Sequence, residues 1–210
     1  MTMARWPRFL LASLVLACHS GDAARPHWPV EGSSLESSAH AWPSDSTAPP
    51  QCRGAIVAID ADSFGPLRVG QTLRSILTEC PKPVVGWEWG DDAEPSPALM
   101  TRFGSGLILV TLTDTTDTAT AYYLSTRDPA FHTLDGVHVG MTVDSLQARL
   151  GTLEFVEGEC GLYARSAKQP YLGIQLSLPA DSLDCGYLVP TPPALPRGSV
   201  VVKLFLHSAT

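Results

Sequence analysis

Two stretches of this chain read as copies of one another, and that repetition limits its possible folds more than any other feature. Leu67-Arg-Val-Gly-Gln-Thr-Leu-Arg-Ser-Ile76 aligns with Val137-His-Val-Gly-Met-Thr-Val-Asp-Ser-Leu146 at an offset of 70 residues. Val69/Val139, Gly70/Gly140, Thr72/Thr142 and Ser75/Ser145 are identical, and three further positions exchange one aliphatic side chain for another. Downstream, Leu107-Ile-Leu-Val-Thr-Leu112 parallels Gly173-Ile-Gln-Leu-Ser-Leu178, and Thr120 to Leu124 parallels Val200 to Leu204. Three matched blocks in the same order predict a tandem pair of units, residues 51–128 and 129–210.

Each unit carries the same local signals. A short extended run ends at a glycine, and Thr72 or Thr142 is placed to cap a helix. Leu73, Ile76 and Leu77, or Val143, Leu146 and Leu150, then recur at helical spacing. Pro81 and Gly151 mark where these helices stop. Runs rich in β-branched and aromatic residues follow: 84–89, 107–112 and 120–124 in the first unit, and 155–157, 171–178 and 200–206 in the second. The expected class is α+β, a tandem duplication in which one helix packs on an antiparallel β-meander in each unit. The far face of each sheet is then left to water, the sister unit or a ligand.

The first 17 residues have the form of an export signal. Arg5 and Arg8 precede an uncharged apolar run from Phe9 to Ala17, far short of the ~20 residues that cross a bilayer as a helix. The boundary Val15-Leu16-Ala17-Cys18 resembles the lipobox of bacterial lipoproteins. That resemblance implies cleavage before Cys18 and membrane attachment through lipid (diacylglyceryl and N-acyl chains, palmitate among them) on its sulfur and new N-terminus. Two or more acyl chains hold a protein firmly where one does not. His19, rather than Asp, follows the cysteine, which resembles the default sorting of lipoproteins to the outer membrane. The alternative is ordinary cleavage that discards Cys18 or leaves it as a spare thiol.

Residues 18–50 then form a lipid-anchored tether. Scattered prolines and serines with no hydrophobic period cannot bury enough apolar area to offset ordering entropy. As a flexible coil it reaches roughly 30 Å. Trp28 and Trp42 stand out within it and have either the membrane interface or the domain as neighbours. Loss of residues 1–17 removes two of 14 basic residues and none of 21 acidic ones, so the formal charge goes from −7 to 12 − 21 = −9. That balance argues against nucleic acid as a partner and against an electrostatic hold on anionic lipid.

Beyond Cys18 there are four cysteines: Cys52, Cys80, Cys160 and Cys185. An even number in an exported chain reads as disulfides. Three connectivities are possible, and the repetition favours Cys52–Cys80 with Cys160–Cys185. Zinc is the competing idea, but no pair has the short spacing that zinc sites prefer.

The run Val139-Gly-Met-Thr142, with Leu146 and Gly151 after it, resembles the opening of two known modules. One is the β-lactamase inhibitory protein, itself a tandem repeat of helix plus antiparallel sheet with a disulfide in each half. The other is the small outer-membrane lipoproteins of the β-barrel assembly machinery. The first unit departs from the motif with Gln71 in place of Met. The resemblance covers about 15 residues per unit and implies a binding scaffold rather than a catalyst; it transfers no contact residue.

No catalytic, cofactor or metal site is expected. Of the histidines, only His132, His138 and His207 fall in the two units, without H-x-H or H-x₃-H spacing, and no G-x-S-x-G elbow occurs. Asp60/Asp62, Asp91/Asp92 and Asp114/Asp117 lack the calcium-loop formula and read as turn residues. Trp87 and Trp89 fall on one face of a strand, either as core or as a recognition patch, and Tyr122 and Tyr123 are expected to split between faces. Those four aromatics are the candidate binding surface. The leading functional reading is a non-enzymatic cell-envelope lipoprotein, protein-binding or scaffolding, held at a membrane by lipid on Cys18. The alternative is an envelope hydrolase or metal-binding protein with a site between the repeats.

Overall fold

The computed structural model describes residues 27–28, 52–53, 58–89, 95–158, 161–177 and 198–208. Chain entry is marked by three two-residue strands, β1 (Ala58–Ile59), β2 (Ser63–Phe64) and β3 (Leu67–Arg68). Helix α1 (Leu73–Glu79) leads into β4 (Val84–Trp89), β5 (Pro95–Phe103), β6 (Gly106–Leu112) and β7 (Ala121–Thr126). A second passage runs through β8 (His132–Thr133), α2 (Val143–Leu150), β9 (Leu153–Gly158), β10 (Gly161–Ser166), β11 (Gln169–Leu176) and β12 (Val201–His207).

The expected α+β class, one helix on its own meander in each unit, is corrected by the sheet topology. Strands β4 to β7 and β9 to β12 form a single antiparallel sheet of eight, in the order β4-β5-β6-β7-β12-β11-β10-β9. The protein is mostly β. Among the described residues the helices number two, of seven and eight residues, about 10–12 Å long. The physical reason lies at the meander ends. A four-stranded meander leaves a row of unpaired N–H and C=O groups along its last strand. Pairing β7 with β12 satisfies both rows at once and fuses the two sheets.

The register of that junction is symmetric. Thr126 pairs with Leu204, Ser125 with Phe205 and Leu124 with Leu206. At the 80-residue offset of this block, Leu124 corresponds to Leu204 and Thr126 to Leu206. Exchanging the halves therefore turns the first pair into the third and leaves Ser125–Phe205 on the axis. Each last strand also carries a bulge at the corresponding residue, Tyr122 in β7 and Val202 in β12.

Matching backbone bonds explain the copied glycines and threonines. The Gly70 N–H donates to Ala121 O (2.6 Å) and the Gly140 N–H to Val201 O (2.7 Å). Both glycines are left-handed, with φ of 83° and 90°, where a β-carbon is strained. One turn later, the Leu73 N–H donates to Ala119 O and the Val143 N–H to Ser199 O. Thr72 Oγ1 accepts from the Ser75 N–H (3.4 Å) and Thr142 Oγ1 from the Ser145 N–H (3.3 Å), which caps each helix. Glycine lets the chain leave the last strand, and threonine starts the helix across its sheet.

Leu73, Ile76 and Leu77 from α1, and Val143, Leu146 and Leu150 from α2, are buried on one side of the sheet. They share a core with Leu99, Ile108, Val110, Leu124, Leu162, Ile174 and Leu204. A small second sheet, β3-β2-β1-β8, links the halves because β1 runs parallel to β8. Phe64 and Phe131 meet edge-on beside it, with centroids 5.9 Å apart. Cys52 is bonded to Cys80 at the end of α1, and its N–H donates to Arg102 O (2.8 Å). Cys160 and Cys185 lie outside the described residues.

The Cys52–Cys80 bond closes a loop across a sequence separation of 28, for which chain entropy gives roughly 3–4 kcal/mol. Replacing both cysteines with alanine is expected to lower the unfolding free energy by about that amount, read from urea denaturation of the double variant against the parent.

Candidate functional site

Directly opposed residues on neighbouring strands share a face, so the register determines which side chains look away from the helices. Along the middle of that open face run Ala98, Thr111 and Ser125, all small and all buried. Among the described residues, Thr111 Oγ1 has no hydrogen-bond partner. Beside this strip stand Tyr123, Phe205 and Tyr163. The Tyr123 and Phe205 rings stack at 5.2 Å, and Tyr163 meets Phe205 edge-on at 5.9 Å. Such pairs contribute about 0.5–1.5 kcal/mol beyond the area they bury.

Gly173 makes room for this cluster. It pairs directly with Phe205, and a β-carbon placed on it would lie 2.1 Å from the Phe205 ring. Lys203 Nζ sits 5.0 Å above the Tyr123 ring and 3.8 Å from Glu88 Oε1. The Lys203 and Glu88 side chains are 13% and 25% exposed, so solvent screens them less than a surface pair. Glu88 is on β4 and Lys203 on β12, four places along the sheet. Strand spacing puts those places about 19 Å apart in a flat sheet, beyond what the two side chains span. The sheet therefore curls toward this face, which is concave.

The four aromatics expected as a binding surface are divided by the fold. Trp87 faces the helix side with Val85, opposite Pro97 and beside Leu99. Trp28, placed in the tether by its sequence, packs against it with ring centroids 6.2 Å apart. The Trp89 side chain lies outside the described residues. Tyr123 belongs to the open face. Tyr122, as the bulge residue, escapes strict alternation, and its OH donates to Ser96 Oγ on that same side (3.0 Å). Strand alternation alone hides this, and it also misses Tyr163, Phe205, Lys203 and Glu88. The discoverable signal was the period-two run Lys203, Phe205, His207 in the last strand.

The turn reading of the acidic residues fits where they are described. Asp114 accepts from the Thr116 N–H (2.6 Å), and its hydrogen bonds from Thr116 hold its carboxyl below the usual range. Asp62 pairs with Arg68 at 2.7 Å, and Asp60 accepts from the Ala61 N–H. Asp91 and Asp92 lie outside the described residues. Asp135 accepts from Lys168 Nζ (2.9 Å) and Gln169 Nε2 (2.8 Å), and the Lys168 bond in particular holds its carboxyl low. Burial first, then the charges of Asp60 and Asp135, push the Tyr171 phenol up. Among the described residues, no three of His, Cys, Asp and Glu gather closely enough to hold a metal ion. His207 is opposite Tyr123 on the open face, while His132 and His138 belong to the small hairpin before α2.

No family model matches the chain, and no curated protein matches it. Among solved structures, the uncharacterized protein yfeY from Escherichia coli is similar at a TM-score of 0.47 and 14% identity. The match covers 72% of this chain and 99% of that one.

Gly173→Ala is expected to destabilise the fold by about 1–3 kcal/mol, since the added methyl displaces the Phe205 ring. Adding Phe205→Ala should make the second step cheaper than Phe205→Ala alone, a coupling that a double-mutant denaturation cycle measures.

Proposed function

We propose that this chain is a non-enzymatic cell-envelope lipoprotein that uses the concave face of its eight-stranded sheet to bind another envelope protein. The observation that carries the reading is the ring cluster of Tyr123, Tyr163 and Phe205, drawn from both halves and half-exposed on one concave face. Aromatic side chains dominate binding hot spots because they bury large area at small entropic cost. A concave face selects a protruding segment, such as a loop or hairpin tip. The formal charge of −7, or −9 after signal cleavage, favours a segment carrying Arg or Lys. The same balance disfavours nucleic acid.

In this reading Cys18 carries the lipid, the following residues are the tether, and the outer membrane is the anchoring site. The lipobox-like Val15-Leu16-Ala17-Cys18 supports that part. Cys18→Ser should move the protein from the membrane to the soluble fraction of the envelope. Continued sedimentation with membranes, or failure to incorporate labelled palmitate, removes the anchor from the account.

The binding face has its own test. A photo-crosslinking residue at Tyr163 should give one discrete adduct in intact cells, lost when Phe205→Ala is added. The same residue at Gln147, exposed on α2, should give none. An adduct from Gln147 alone, or one indifferent to Phe205, places the interaction elsewhere.

A further inference from the structure

We propose that His132 and His138 form a two-imidazole site for a divalent transition-metal ion on the hairpin that precedes α2. Sequence spacing conceals the pair because the residues are six apart; the fold sets them face to face. They are bridged antiparallel partners, and the hairpin beyond them closes through Thr133 N–H to Val137 O (3.0 Å) and Gly136 N–H to Thr133 O (2.8 Å). Opposed residues carry their β-carbons about 5 Å apart on one face. Thr133 and Val137, next along, are buried toward the core. The imidazoles therefore share the outward side, His132 exposed and His138 half-buried.

The ring nitrogens are already sorted for coordination. His132 Nδ1 is 3.3 Å from Ala130 O, and His138 Nδ1 is 2.8 Å from Val139 O. A carbonyl oxygen only accepts, so Nδ1 is the donor in each contact and Nε2 is the nitrogen left to meet an ion. An Nδ1–H bonded to a backbone carbonyl is the support that metal-binding histidines generally have. The hairpin itself is clamped. Arg149 Nη1 donates to Asp135 O (2.8 Å), and the Asp135 carboxylate is held by Lys168 and Gln169. Its backbone is thus ordered before any ion arrives. Imidazole suits Zn²⁺, Cu²⁺ and Ni²⁺, and with two protein ligands the remaining positions stay with water, so the ion would be exchangeable.

The test is a Zn²⁺ titration of the mature chain, its disulfides intact, followed through the histidine ring Hε1 and Nε2 resonances. The His132 and His138 signals should shift together along one saturation curve. His207, whose Nδ1 lies against Ser208 O on another face, serves as the internal control and should not follow that curve. His132→Ala should weaken the His138 response by tenfold or more, and His138→Ala should do the same to His132. Both positions are on the outward side of the hairpin, so both variants are expected to keep the fold, which an unchanged far-UV circular dichroism spectrum checks. Independent curves, a response shared equally with His207, or no shift up to millimolar Zn²⁺ would each overturn the site. None of these outcomes bears on the concave face, which the crosslinking experiment tests separately.

Discussion

The pairing of β7 with β12 is the contact on which the rest of the architecture depends. Each meander alone is a four-stranded sheet with a hydrophobic side, a short helix and two open edges. Joining the last strands removes one edge from each and makes one sheet long enough to curl. The curl creates the concave face, and the concave face brings Glu88 of the outermost strand to Lys203 of the central one. Without the junction, the aromatic cluster would be split, since Tyr123 belongs to one meander and Phe205 and Tyr163 to the other.

The two sides of the sheet solve different problems. On the helix side, apolar side chains from both strands and helices fill one core, closed at one end by the Cys52–Cys80 bond and by Trp28 against Trp87. On the concave side Ala98, Thr111 and Ser125 are small and buried, and the rings of Tyr123, Phe205 and Tyr163 stand beside them. Gly173 extends the same logic: its missing side chain leaves the space that the Phe205 ring fills. The small residues on this face are spacers for the large ones.

Legibility in the sequence followed the range of the interaction. The Gly-x-Thr junctions and helix starts could be read because they rest on local chemistry: a glycine with positive φ and a threonine accepting from the N–H three residues on. The apolar spacing of Leu73, Ile76 and Leu77 likewise marked a helix. What the sequence did not reveal was long-range. The α+β expectation failed because nothing in Ala121–Thr126 or Val201–His207 states that these strands pair with each other. The bulges at Tyr122 and Val202 were equally hidden, and one unpaired residue is enough to move a side chain off its expected face. The histidine pair escaped because a hairpin, not a helix or a single strand, brings it together.

The symmetry of the junction makes its asymmetries informative. By the 80-residue correspondence that relates Leu124 to Leu204, Tyr123 corresponds to Lys203 and Ser125 to Phe205. Two identical residues at the first pair of positions would place two lysines, which repel, or two tyrosines, which leave Glu88 without its cation. Instead one position is a ring and the other an ammonium lying 5.0 Å above it. On the axis itself a small hydroxyl opposes a large ring, so Phe205 covers both places. Matched backbones thus carry complementary rather than matched side chains, and the concave face has a direction. A partner with a single protruding segment can engage such a face in one orientation, whereas a strictly two-fold face would offer two equivalent ones.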